Sequence, residues 1–185
     1  MYSVADFRTG LKILWEGEPY VVVEFQHVKP GKGNAFTRTK IKNLLTGRVL
    51  EPTLKSGEKL GVPDVEEKQM QYVFRDGEHY TFMDTQTYEQ VLVDKEALGD
   101  TAKWIQEALT CAILFWNGKA IDVTPPTFVI MKIISCEPGV RGDTATNASK
   151  PATLESGAVV NVPLFINEGE RIRIDTRTGA YVERA

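Results

Sequence analysis

Lys32 is the side chain in this sequence best placed to meet chemistry from outside. It stands in Lys29-Pro30-Gly31-Lys32-Gly33-Asn34, between two stretches that read as β-strands, 20–28 and 35–45. That context predicts the tip of a hairpin. Gly31 and Gly33 can take positive φ without steric cost, and Pro30 stiffens the approach. A lysine held there has almost no side chains to pack against. Its ammonium can meet a polyanion as a point charge, and its amine is open to a modifying enzyme. Beyond the tip, strand alternation puts Arg38, Lys40 and Lys42 on one face and Thr37, Thr39 and Ile41 on the other. From Lys29 to Arg48 there are six basic residues and no acidic one. Such a turn is most often just a soluble loop, and a lysine row often only protects a sheet edge. Both features on one hairpin point instead to contact with a phosphate backbone.

The groups from which catalytic sites are made are missing. The chain has no Gly-x-x-x-x-Gly-Lys-Ser/Thr phosphate loop, no Gly-x-Ser-x-Gly and no Cys-x-x-Cys. His27 and His79 fall on expected strands without a partner at ligand spacing, so they read as barrel-wall residues and no metal is expected. His27 lies near enough to the tip to touch RNA. The carboxylates of 64–67 read as a solvated face. Cys111 and Cys136 sit in apolar runs and read as small buried residues of a reduced protein, not as a disulfide. Nothing calls for a cofactor, and an enzyme acting on an acidic substrate is disfavoured on the same grounds.

The elements that must position the tip are short strands along nearly the whole chain. The 185 residues are 42% hydrophobic, enough for one medium domain or a string of small ones. The net charge of −3 is unevenly spread. Residues 1–64 hold ten Lys and Arg against seven Asp and Glu, residues 65–128 five against eleven, and residues 129–185 seven against seven. A basic head, an acidic middle and a neutral tail suit a molecule with one oriented binding edge. The chain opens without a basic and then apolar leader, and its most apolar run, 128–134, is short and carries Lys132. No membrane span is expected, and a cytoplasmic location is.

Composition turns acidic near Asp64, and Pro125-Pro126 cannot donate to a sheet ladder, so both mark boundaries. Between them, alternating Met70, Tyr72 and Phe74 lead through Asp76-Gly77 to Tyr80 and Phe82, a hairpin pattern. A strand is expected at 88–93. One helix is expected over 101–109, with Asp100 as N-cap and Ile105, Ala108 and Leu109 on one face. Strands around one helix suit a small OB-type barrel. After a strand at 127–135, the stretch 137–151 reads as a long irregular loop, and further strands are expected at 159–165, 171–175 and 180–183. No internal sequence repeat stands out.

Several runs, taken in order, carry a resemblance. They are Lys29-Pro30-Gly31-Lys32-Gly33 with Ala35-Phe36, Asn43-Leu44-Leu45-Thr46-Gly47, Gly142-Asp143-Thr144, Lys150-Pro151-Ala152 and Val162-Pro163-Leu164-Phe165. The closing Asp175-Thr176-Arg177-Thr178-Gly179, with Tyr181 and Arg184, completes the set. From end to end the chain resembles the bacterial elongation factor P family. The resemblance implies an all-β fold of three small β-barrels in an L shape, with one short helix in the middle domain. An SH3-like, KOW-type domain would occupy 1–64, and OB-folds 65–127 and 128–185.

It also implies a factor that performs no chemistry itself. It would bind the 70S ribosome beside the peptidyl-tRNA and relieve stalling at consecutive prolines. Lys32 takes the tip position that reaches toward the tRNA acceptor end, carrying β-lysine or an aminopentanol-type extension added by a lysine-modifying enzyme. Gly142, Asp143 and Thr144 match the motif that contacts mRNA at the exit site, and Tyr181 and Arg184 match contacts near the small subunit and tRNA stem. A monomer is expected. The residues alone support such a mechanism, because fixing tRNA geometry through backbone contacts lowers an entropic barrier without donating a proton. The alternative, a general single-strand-binding OB-fold protein, would need exposed aromatics on a basic barrel face, and the middle segment is acidic.

Overall fold

The computed structural model describes residues 1–139 and 148–185. Among them nearly all regular structure is antiparallel strand. The first seven strands are β1 (Tyr2–Ser3), β2 (Lys12–Trp15), β3 (Glu18–Val28), β4 (Phe36–Asn43), β5 (Val49–Leu50), β6 (Thr53–Lys55) and β7 (Lys59–Leu60). The sheet runs β2-β3-β4-β5, with β6 also paired to β4 and β1 paired to β7. Alternation along β4 is as expected. Thr37, Thr39, Ile41 and Asn43 are buried, and Arg38, Lys40 and Lys42 turn outward. The inward set joins Ile13, Tyr20, Val22, Leu54 and Leu60 in one apolar cluster through Ile41.

The middle sheet has the order β10-β9-β8-β11-β12. Its strands are β8 (Val65–Asp76), β9 (His79–Asp84), β10 (Gln90–Asp94), β11 (Thr110–Trp116) and β12 (Lys119–Thr124). All three hairpin turns use left-handed backbone, Gly77 at φ 59° in the first, Tyr88 at φ 62° in the second and Asn117-Gly118 at φ 50° and 81° in the third. The helix lies earlier than expected. An α-helical turn, α1 (Lys95–Leu98), runs into a 3-10 segment, Gly99–Trp104, and the chain is extended again at Ile105. Ala108 takes φ 61°, which no helix interior allows. Tertiary burial decides the matter. Leu98 and Trp104 are the apolar residues this segment sinks, beside Thr101, and Trp104 belongs to the C-terminal apolar cluster.

The last sheet is ordered β15-β14-β13-β16-β17. It consists of β13 (Phe128–Cys136), β14 (Ser149–Leu154), β15 (Val159–Pro163), β16 (Arg171–Asp175) and β17 (Ala180–Arg184). The strand β14 corrects the reading of 137–151 as wholly irregular. Pro151 is tolerated within it because the pairing with β13 ends one residue earlier, at Cys136 with Ala152. Met131, Ile133, Leu154, Val162, Ile172 and Ile174 fill the interior.

Two devices recur in all three sheets. The first long strand of each carries one extra residue against its neighbour: Val23 on β3, Val73 on β8 and Ile134 on β13. Such bulges bend a strand and strengthen its twist, which lets a short sheet curl toward a barrel. Each sheet also has a turn headed by Asn43, Asp84 or Asp175, described below. By packing, the described residues gather into two compact units, Met1–Glu67 with Leu114–Asp122, and Lys68–Ile113 with Val123–Ala185.

Candidate functional site

The hairpin of β3 and β4 is paired from Tyr20 with Asn43 up to Val28 with Phe36, which lifts 29–34 clear of the sheet. Lys29, Pro30, Gly31, Lys32, Gly33 and Asn34 are all exposed. Gly33 sits at φ 109°, a conformation that L side chains rarely adopt, whereas Gly31 has ordinary φ and open space where a Cβ would stand. Lys32 makes no hydrogen bond or ion pair among the described residues. At the neck, the Arg38 guanidinium lies 5.8 Å from the Phe36 ring centre, and His27 Nδ1 lies 2.7 Å from Thr37 Oγ1. His27 borders a cleft of about 350 Å³ at the base of the tip, shared with Val4, Ala5 and Phe36.

The basic row is less free in space than along the chain. Arg38 and Lys42 are exposed, but Lys40 Nζ lies 3.8 Å from Glu24 on β3 and 3.6 Å from Glu51. The acids absent from 29–48 arrive from β3 and from the link between β5 and β6. The ladder that sets Lys40 opposite Glu24 makes this pair, worth about 0–1 kcal/mol at such exposure.

At the other end of β4 the chain is densely bonded. Asn43 is 3% exposed. Its side-chain carbonyl accepts from the Leu45 and Thr46 amides at 2.7 and 3.0 Å, and its NH2 donates to Glu18 at 2.6 Å. The Gly47 amide closes the turn on the Asn43 carbonyl at 2.9 Å, with Gly47 at φ 75°. Asp84 repeats this arrangement with Gln86, Thr87 and Tyr88, and Asp175 with Arg177, Thr178 and Gly179. The Gln86 and then the Thr87 amide hold the Asp84 carboxyl below its ordinary range. The Arg177 guanidinium, foremost, does the same for Asp175.

In the C-terminal sheet Tyr181 is half-buried against the core. Arg184 bonds Glu170 at 3.3 Å and the Phe165 carbonyl at 3.1 Å, and its guanidinium lies 4.9 Å from the Phe165 ring centre. Gly142, Asp143 and Thr144 lie outside the described residues. Phe165 was not singled out as a site residue, although two large apolar residues, Leu164-Phe165, at the end of a strand are a legible signal. His79 Nδ1 faces Asp94 at 2.9 Å, and no group of three metal-ligating side chains occurs among the described residues. Both cysteines are free, and burial pushes the Cys111 thiol up to about 11.

Comparison with known families decides what this arrangement belongs to. The family model "Elongation factor P (EF-P) KOW-like domain" matches residues 3–60, "Elongation factor P (EF-P) OB domain" matches 65–123, and "Elongation factor P, C-terminal" matches 129–184. The elongation factor P of Bdellovibrio bacteriovorus is 53% identical over 184 residues, spanning 100% of this chain and 98% of that protein. The chain belongs to the elongation factor P family. The elongation factor P of Syntrophomonas wolfei is 54% identical over the full length of both. A solved structure, eukaryotic translation initiation factor 5A from Methanococcus jannaschii, shares the fold with a TM-score of 0.56 at 22% identity. That likeness covers 67% of this chain and 91% of the other. As an elongation factor P the protein is a translation elongation factor, built of KOW-like and OB domains. No helix among the described residues is long and apolar enough to cross a membrane.

Proposed function

We propose that the protein binds the ribosome beside the peptidyl-tRNA and promotes bond formation at consecutive prolines, with Lys32 extended toward the tRNA acceptor end. The observation that carries this reading is the contrast at the tip: an exposed, unpartnered lysine on a firmly paired two-stranded ribbon. A peptidyl-transfer step that fails by misplacement is restored by positioning, and effective molarities for well-oriented reactants are large. Arg38 and Lys42 supply phosphate contacts, with Lys40 shared between RNA and its glutamates. The Lys32 amine is the acceptor for a lysine-modifying enzyme. The three-domain division 1–64, 65–127 and 128–185, and mRNA contact through Gly142, Asp143 and Thr144, belong to the same reading.

A pair of translation reporters, with and without a run of prolines, tests it in the native host. Lys32→Ala is expected to lower output from the proline message by up to about a hundredfold, on the order of what a 1 Å misplacement can cost, and to spare the other message. Lys32→Arg keeps the charge but removes the modifiable amine, so it fails on the same message. Equal output from Arg and wild type would refute modification. Equal output from all three would make Lys32 an ordinary loop lysine.

A further inference from the structure

The Val162-Pro163-Leu164-Phe165 run plays no part in the tip reading, and its last residue breaks the usual pattern of burial. Phe165 sits on the turn after β15 at 58% exposure, while the adjoining Ile166 is fully buried. The turn itself is firmly held. The Ile166 amide donates to the Pro163 carbonyl at 3.1 Å, and Arg184 donates to the Phe165 carbonyl at 3.1 Å. Gly139 passes so close that a Cβ there would stand 2.6 Å from the Leu164 carbonyl oxygen. The backbone that carries the exposed ring is thus held in place, which lowers the ordering cost of a ligand's binding.

Phe165 borders an open cleft of about 680 Å³, together with Tyr181, Asn161, Ser149 and Gly179. The Asn161 amide and the Ser149 and Tyr181 hydroxyls have no hydrogen-bond partner among the described residues. Two aromatic side chains, a guanidinium stacked beside one of them and an unengaged amide form the set that unpaired bases use. Every base has a face to stack, and an Asn amide can both donate to and accept from a base edge. The volume lies in the range of small-ligand clefts.

We propose that this cleft takes an unpaired nucleobase of single-stranded RNA, stacked on Phe165, with Asn161 supplying contacts to its edge. The proposal rests on the reading of the chain as a ribosome-bound factor. It adds Phe165 and Asn161 to a segment where Gly142, Asp143, Thr144, Tyr181 and Arg184 were expected to touch RNA.

Fluorescence anisotropy of the full chain with labelled oligo(A) and oligo(U) RNA decamers tests the cleft. Phe165→Ala is expected to weaken binding roughly 5- to 150-fold, the span of one lost stacked base, and Phe165→Trp to restore it. The slope of log affinity against log salt should stay unchanged, since no phosphate contact is removed. Thermal unfolding should match wild type, which excludes a merely structural effect. Equal affinity of wild type and Phe165→Ala, or no wild-type binding at millimolar RNA, would overturn the proposal. Lys32→Ala should bind the decamers as wild type does, so failure of the cleft and failure of the tip reading leave different patterns.

Discussion

The two ends of β4 are opposites. At one end, 29–34 projects with every residue exposed and Lys32 unpartnered among the described residues. At the other, Asn43 is buried and spends its amide on three partners, two backbone amides and a carboxylate. One strand therefore joins a segment that contributes nothing to the fold to one that specifies it. The lesson is that an exposed tip can be aimed only if its far end is fixed. The hydrogen bonds that make the tip useful lie some ten residues away from it.

The largest effect on stability should come from the fixed end. Asn43→Ala removes two amide hydrogen bonds accepted by a buried side chain, each worth about 0.5–1.5 kcal/mol, and is expected to cost about 1–3 kcal/mol in chemical denaturation. Lys32→Ala should cost less than about 0.5 kcal/mol in the same experiment. Comparable losses at the two sites would abolish the contrast.

Glycine substitutions sharpen it further. Gly47→Ala forces a Cβ into φ 75° and should destabilise by about 1–2 kcal/mol. Gly31→Ala meets open space at ordinary φ and should fall within about 0.5 kcal/mol. A Gly31→Ala protein that melts well below wild type would mean that the tip is under strain.

The smallest effect separates the Asn43 turn from its two relatives. The folded carboxyls of Asp84 and Asp175 lie below their unfolded value, near 3.8. Their contribution is therefore fully present above that value and is lost as pH falls through the folded pKa. Asn43 has no proton to gain. In an acid titration followed by NMR on the Glu18→Gln variant, which removes the carboxylate bonded to Asn43, the amides of Gln86, Thr87 and Arg177 should shift below pH 3.8, while those of Leu45 and Thr46 stay flat. A shift of the same size at Leu45 would show that the three turns do not differ by their head residue.

Strands were legible where one face is buried, as in the unbroken alternation of β4. In β8 the expected set Met70, Tyr72 and Phe74 is interrupted by the extra residue Val73, and Phe74 ends 50% exposed. The helix was misplaced because Asp100 and the spacing of Ile105, Ala108 and Leu109 mimic an amphipathic pattern. The sunken apolar residues are Leu98 and Trp104 instead. β14 was hidden by Pro151, whose acceptable position depends on where a partner strand ends. The recurring turn escaped notice because only a head Asn or Asp, a Thr three residues on and a left-handed fourth residue are shared, and the last is Gly, Tyr and Gly. At the site, the tip was readable, but the glutamates flanking Lys40 were not, since sequence does not display what lies across a ladder.

The extra residue Val23 gives the hairpin a mechanical character. From that bulge the ribbon runs on to the tip over a length of about 20 Å, at roughly 3.3 Å per residue. A lever of that length moves its end by about 0.35 Å for each degree of bend at its root, so roughly three degrees displace the tip by the 1 Å that positional catalysis does not forgive. On the proposed function, angular accuracy at Val23 is thus as demanding a requirement as the identity of residue 32. Side chains packed around the bulge act as the gunsight of the hairpin.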